Sequence, residues 1–552
     1  MTDRTLVSYV FVLGSCFSIQ AADIIVPGNG SQLAGLNSAI KVPGGGALQA
    51  ALDNAVPGDN IILTAGATYI GNFNLAYKGT STQWITIQSA NLSSLPRAGS
   101  RVSPSDAVNM PKIVSVDGTT SAFTLTNGAH HYRFLGIEVT APKNIYAADL
   151  IRVGTTYEAA LSALPHDVDF DRVYIHGDPV AGAKRGIALN GATVSVRNSY
   201  ISDIKSNWQD TQALMGWNGP GPFLIENNFL EAAAENVLFG GATPTFQNMI
   251  PSNITIRGNY FFKPFSWYVW SPTYDGGAEY AKNMLELKIA SNVLIDGNIF
   301  QNNWIMGQNG YAIQLTVRTE NGTAPWAVVQ DVTFTHNIIQ DSANGVDILG
   351  KDDANGFTGQ TQRITFRNNL LNNTSSLTMH PAGPVLTGMD FSFTLLSGTK
   401  NVTIDHNTTF PTNKVLFFDD PAHPHTGLQY TNNLTTHGLY GIFGGGYGPG
   451  TTSLAAYAPG SIVNQNAMIG GQASAQYYPA GNYFPPTTAD VGFTNYAGGN
   501  FSLLRSSPYH HLGTDGADLG ADMSSIASAT ATAVSGQNTR YSVPAGFSFP
   551  SR

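Results

Sequence analysis

The chain has 552 residues, of which 42% are hydrophobic and only 11% charged, with a formal net charge of −9. So little Glu, Lys and Arg excludes a coiled coil or a large helical bundle, and the apolar content excludes a wholly disordered chain. An acidic balance without clustered Lys and Arg argues against a nucleic-acid partner, and a single cysteine, Cys16, excludes a disulfide framework.

Residues 1–22 read as an export signal. Arg4 precedes an apolar run from Leu6 to Ile19, too short to span a bilayer, and Ala21-Ala22 offer small residues for cleavage. Leu13-Gly14-Ser15-Cys16 resembles the lipobox of bacterial lipoproteins, which would tether the protein through an acylated Cys16. The expected address is therefore extracellular or periplasmic, with a lipid anchor as the alternative and no membrane span elsewhere.

Next comes Ala47 to Ala55, a short amphipathic helix, and then Pro57-Gly58-Asp59, a turn into the apolar strand that begins at Asn60. From there a motif recurs: apolar-x-apolar followed by a turn-forming pair. It reads VYIHGD at 173, VSVRNS at 194, FLIENN at 223, ITIRGN at 254, VLIDGN at 293, VTFTHN at 332, ITFRNN at 364, VTIDHN at 402 and LQYTNN at 428. The sixth positions are Asp178, Ser199, Asn228, Asn259, Asn298, Asn337, Asn369, Asn407 and Asn433. Constant strands separated by inserts of variable length are the mark of a solenoid whose coils carry different loops. Parallel pairing stacks equivalent side chains ~4.8 Å apart, so a buried Asn at one turn can bond to the Asn of the next coil. A second strand per coil appears as GIALNG at 186, NVLFGG at 236, MLELKIA at 284, YAIQLTVR at 311 and GVDILG at 345. The repeat fades after about residue 440. Residues 441–523 read as a loop-rich part packed on the helix, and 524–552 as a polar tail.

With the Ala47–Ala55 cap, the Pro57-Gly58-Asp59 turn, the Asn repeat and the C-terminal Asn500-Phe501-Ser502-Leu503 and Gly513-Thr514-Asp515-Gly516 segments, the chain resembles the pectin-lyase-like right-handed parallel β-helix family over roughly residues 40–525. The resemblance implies an all-β solenoid of ten or more coils with an N-terminal capping helix, its β-helix domain spanning 23–440. Because the interior of such a rod is filled, chemistry must sit on an outer face.

The second strand set is the richest face. Alternation buries Leu285, Leu287, Ile289, Ile313, Leu315, Val317, Val346 and Ile348, so Glu286, Lys288, Gln314, Thr316, Arg318 and Asp347 should point outward, with Glu235 one coil earlier. Trp217, Trp267 and Trp270 lie in neighbouring inserts and could stack on sugar rings. A salt-bridge ladder between coils and aromatics that merely cover the helix side are the bland alternatives. Glu286-Leu287-Lys288 followed by Arg318 is similar to the Lys and Arg of the alginate lyase and chondroitinase-like branch. That resemblance implies β-elimination on a uronic-acid polymer, with Lys288 and Arg318 catalytic and a Ca²⁺ ion held by Glu286 and Asp347. In place of that branch's further carboxylates stand Met284 and Leu285.

Glu235, Gln314, Asp347, Trp217, Trp267 and Trp270 would then meet the substrate. The expected partner is an acidic polysaccharide and the expected state a monomer. The alternatives are a glycoside hydrolase using paired carboxylates among Glu235, Glu286 and Asp347, an epimerase on similar polymers, and a non-catalytic carbohydrate-binding or scaffold rod.

Overall fold

The computed structural model describes residues 23–26, 46–352, 357–375 and 390–538, so the expected signal in 1–22, with Cys16, lies outside the described residues. Three long parallel sheets run the length of the molecule: sheet A with 14 strands, sheet B with 13 and sheet C with 12. The chain visits them in the order A, B, C, and each strand pairs with its equivalent one coil further on. This is a right-handed parallel β-helix, the hand that parallel crossovers adopt. The helix Gly46–Asn54 covers the first coils through buried Leu48 and Leu52. After it, the Asp59 carboxylate accepts the Val56 N–H at 2.9 Å and turns the chain into the strand Asn60–Leu63.

The asparagine column forms at the corner after sheet A. In each coil the backbone N–H donates to the side-chain oxygen of the Asn one coil on, from Ser199 to Asn228 and then through Asn259, Asn298, Asn337, Asn369, Asn407 and Asn433, at 2.8–3.1 Å. Each carboxamide also donates to the carbonyl of a core residue one coil back, as Asn259 does to Ile225 at 2.9 Å. Buried amides thereby satisfy one another along the rod. The residue before each column member has positive φ: Asn198, Asn227, Gly258, Gly297, His336, Asn368, His406 and Asn432. That explains why the fifth position holds Asn, Gly or His, the residues that tolerate left-handed backbone best.

Two details correct the sequence alignment. Tyr174–His176 belongs to sheet B, so Asp178 is not a column member. In that coil Val173 takes the place, its N–H donating to Ser199 Oγ at 3.1 Å. At the other end the column continues through Asn466 to Asn482, because coils run on to the strand Ala467–Ile469, past the expected limit at 440. Residues read as the start of a polar tail form the helix Met523–Ser535, capped by Asp522 and burying Ile526, Ala529 and Ala533. It lies against an early loop, where Arg101 Nη2 donates to the Ala533 carbonyl at 2.9 Å.

Candidate functional site on sheet C

Sheet C carries the charged residues singled out in the sequence. Its pairing places Leu238, Glu286, Gln314, Asp347 and Thr394 in one outward row. A second row, near the strand starts, holds Asp149, Arg185, Gln212 and Glu235. Polar side chains link these coils in sequence. Arg152 meets Asp149 at 2.6 Å, and Arg185 reaches both Asp149 at 3.1 Å and Gln212 at 3.0 Å. Gln212 then donates to Glu235 at 2.9 Å, and Lys282 bridges Glu235 at 2.8 Å to Asp210 at 2.7 Å.

The second half of the network is the cluster singled out in the sequence. Glu286 accepts from Thr316 Oγ1 at 2.9 Å and Asn283 Nδ2 at 3.2 Å, and its carboxylate is 3.5 Å from Lys288 Nζ. Asn283 also donates to Gln314 at 3.0 Å. The Arg318 N–H donates to the Lys288 carbonyl at 3.2 Å, which sets Arg318 on the coil directly after Lys288. Its guanidinium lies 3.3 Å from Asp352, a loop acid that is only 2% exposed. Burial and the Glu286 charge push the Asp347 carboxyl up to about 7, against the pull of Arg318. Its Oδ1 is buried without a hydrogen-bond partner among the described residues. Burial also raises the Tyr311 hydroxyl well above its ordinary range, with Asp347 adding to the effect.

The structure thus brings Glu286, Lys288, Gln314, Arg318 and Asp347 onto one face of neighbouring coils. Accessibility separates them. The Lys288 side chain is 18% exposed and that of Arg318 44%, whereas Glu235 and Glu286 are buried. Four expected substrate contacts are corrected on this ground, two of them, Gln314 and Asp347, because they are buried within the sheet row. Glu235 is fully covered and neutralised by Lys282, so it positions Lys282 rather than touching a polymer. Trp267 packs with Tyr268, Ala281 and Trp304 and is 3% exposed, so its faces are not open to a sugar. Trp270, in the same insert, is 42% exposed, and Trp217 is half-buried with the Arg185 guanidinium 5.2 Å from its ring.

Sequence reasoning missed Lys282, Asn283 and Arg185. Lys282 and Asn283 precede their strand in an irregular segment, where period-two parity gives no direction. The Arg185 row sits at a strand start, where Ala213 and Leu214, consecutive residues, both enter the core. Alternation is broken there.

The Ca²⁺ ion implied by the family resemblance fits these residues poorly. Glu286 is already compensated by Lys288, Thr316 and Asn283, and Asp347 lies two strand positions away. Among the described residues neither belongs to a group of three His, Cys, Asp or Glu side chains with ligand atoms close together. A cleft of about 630 Å³ opens elsewhere, lined by His336, Arg367, His406, His510, His511 and Asp518. It does not include the Lys288 cluster. We place the candidate site at Lys288 because two cations there, Lys288 and Arg318, are accessible on successive coils.

No protein-family model matches the chain, and no curated protein matches it in sequence. Among solved structures, it is similar to the family 6 alginate lyase AlyGC, at 14% identity and a TM-score of 0.46, over 90% of this chain and 58% of that one. A mannuronic-acid-specific family 6 polysaccharide lyase from human gut microbiota matches at 12% identity and a TM-score of 0.43, over 81% of this chain and 86% of that one. A pectate lyase matches at 14% identity and a TM-score of 0.37, over 92% and 97%. The chain spans 58% of the length of the first of these. Likenesses at this level concern the fold, which the sheet topology establishes independently, and not the chemistry.

Proposed function

We propose that the protein is a secreted polysaccharide-processing enzyme that cleaves a uronic-acid-containing polymer by β-elimination along sheet C. The observation that supports this reading is the pair of accessible cations, Lys288 and Arg318, on successive coils and backed by Glu286 and Asp352. A polyuronate presents carboxylates at regular intervals, and Arg318 suits one of them as a planar, permanently charged donor. Neutralising that carboxylate acidifies the adjacent C5–H. Lys288 Nζ, once it has released a proton to solvent, takes the C5 proton. The electron pair forms the C4=C5 double bond, and the C4–O glycosidic bond breaks. The leaving oxygen receives a proton from the Lys288 ammonium or from water. Glu286, 3.5 Å away, stabilises the ammonium as it forms. Trp270 and Trp217, the two partly exposed rings of the expected set, would serve as stacking surfaces for sugar rings. No step is assigned to Ca²⁺.

One observation favours a second reading. Glu286 and Asp347 are two strand positions apart, about 9.6 Å at the usual strand spacing. That is just beyond the roughly 6.5–9.5 Å used by inverting glycosidases, so the carboxyls would have to lean toward each other. An Asp347 carboxyl raised to about 7 would supply the acid. A panel of acidic polysaccharides separates the two, with and without chelator. Elimination yields an unsaturated uronate with new ultraviolet absorbance, and hydrolysis yields reducing ends without it. Turnover of neither kind on any polymer leaves a binding rod.

A further inference from the structure

We infer that His130, His131 and His166, at the start of two neighbouring strands of sheet A, form a site for a divalent transition metal, held in place by Asp167 and the Gly79 carbonyl. The site is remote in sequence from Lys288 and independent of the proposed reaction. His130–Leu135 and His166–Asp171 are paired strands with His130 opposite His166, so their imidazoles stack 4.6 Å apart and nearly parallel, at 5°. The next residue in each strand, His131 or Asp167, has positive φ. This bend puts consecutive side chains on the same side of the sheet instead of opposite sides. As a result His130 Nδ1 and His131 Nδ1 lie 2.6 Å apart, and Asp167 Oδ2 lies 2.7 Å from His166 Nδ1 and 4.0 Å from His131 Nδ1. A ring nitrogen of each histidine lies within 4.8 Å of one from each of the others.

The partners indicate where the protons are. His130 Nε2 is 2.7 Å from the Gly79 carbonyl, which can only accept. Nε2 therefore carries the proton, and a neutral His130 presents its Nδ1 lone pair to His131. In the same way Asp167 accepts from His166 Nδ1–H and leaves the Nε2 lone pair of that ring free. A carboxylate or carbonyl behind the ring is how metal-binding imidazoles are commonly oriented. Two imidazole nitrogens bound to one tetrahedral ion, each ~2.0–2.1 Å from it, stand about 3.3 Å apart. The facing pair of His130 and His131 needs to open by less than an ångström to accept it. The site is reachable, since the His131 side chain is 13% exposed and that of His166 38%.

The same positions in later coils hold Ala192-Thr193, Ser252-Asn253, Ser291-Asn292, Gln330-Asp331, Gln362-Arg363 and Lys400-Asn401. Their bend is the same, as the positive φ of Thr193, Asn253, Asn292, Asp331, Arg363 and Asn401 shows. The geometry belongs to the fold, but the histidines occur in two coils only. A ligand set rich in imidazole selects Zn²⁺, Ni²⁺, Co²⁺ or Cu²⁺ over Ca²⁺ or Mg²⁺.

The test uses the full chain, without a histidine tag, titrated with Co²⁺ and followed by its visible absorption. His510, His511 and Asp518 form a second candidate group, so His510→Gln/His511→Gln serves as the control variant. The inference predicts one Co²⁺ per chain, retained by that control. His166→Gln should weaken binding by more than about tenfold, and Asp167→Asn by about 10–100-fold. In the unmodified chain, Zn²⁺ should protect His130, His131 and His166 from acylation by diethyl pyrocarbonate, read by mass spectrometry. That measurement needs no variant to fold. Absence of stoichiometric Co²⁺, protection confined to other histidines, or binding that survives His166→Gln and vanishes in the control would each overturn the inference.

Discussion

Replacing Asn337 by alanine removes one link from the middle of the asparagine column. In the wild type, Asn337 Oδ1 accepts two bonds from Asn298, from its N–H at 2.8 Å and from Nδ2 at 3.0 Å. Asn337 Nδ2 donates to the Ile295 and Thr335 carbonyls, each at 2.9 Å. Alanine deletes these contacts and leaves the Asn298 N–H without an acceptor in a fully buried corner, while Asn298 Nδ2 keeps the Ile256 carbonyl at 2.9 Å. Each orphaned buried group costs about 1–3 kcal/mol, and a methyl-sized side chain leaves room for at most partial relief by water. The expected loss is about 1–3 kcal/mol. Urea unfolding followed by circular dichroism measures it, and Asn482→Ala, at the end of the column, should cost less than Asn337→Ala. In a solenoid each coil touches only its neighbours, so the loss can appear as local opening. Amide hydrogen exchange around Ile295, Asn298 and Asn369 should rise before global unfolding. A loss under about 0.5 kcal/mol with unchanged exchange would mean that the column is decoration and that the sheets alone hold the corner.

Further outcomes follow from the same contacts. Asp347 has a raised folded-state pKa, so its protonated form is favoured on folding; the resulting stability is complete below the unfolded value of 3.8 and is lost as pH rises through about 7. Asp347→Asn should therefore match the wild type near pH 4 and be more stable at pH 8, by up to about 4 kcal/mol. Equal stability of the two proteins across that range would refute the buried, unpaired carboxyl. His425 runs the other way: burial lowers its pKa to about 4, so its contribution to stability holds above 6.5 and is lost as pH falls through 4. His425→Phe should flatten the acid limb of a melting curve measured against pH. Trp267→Ala should destabilise by about 3–5 kcal/mol, as loss of a buried ring does. Trp270→Ala should shift stability by less than about 0.5 kcal/mol while weakening retention on an immobilised acidic polysaccharide. The opposite ranking would return Trp267 to the substrate surface.

The solenoid was legible because two periodicities reinforce each other. Inward residues recur every second position within a strand, and the Asn recurs once per coil. The misplacement of Asp178 shows where this fails: VYIHGD has the same apolar spacing as the column strands but lies on sheet B. Spacing within a strand does not say which sheet the strand joins. The Glu286, Lys288 and Asp347 cluster was legible for the same reason as the fold, since parity against apolar neighbours gives direction. Depth was not. Glu235 points out of the core but is covered by Lys282, and Trp267 packs its ring within its own insert against Ala281 and Trp304; cover depends on how loops return over the sheet. The histidine site escaped notice because His130-His131 and His166-Asp167 are 36 residues apart and join only through strand pairing.

The most direct test of the proposed reaction is digestion of a polyuronate in water enriched in heavy oxygen, with products weighed by mass spectrometry, for the wild type and Lys288→Ala. Elimination adds no water: wild-type products should be lighter by one water than hydrolytic fragments, carry no label and absorb in the ultraviolet. Lys288→Ala should yield none of them while melting as the wild type does. Labelled, saturated fragments, or unsaturated fragments formed equally well by Lys288→Ala, would contradict the assignment of a Lys288-dependent lyase to sheet C.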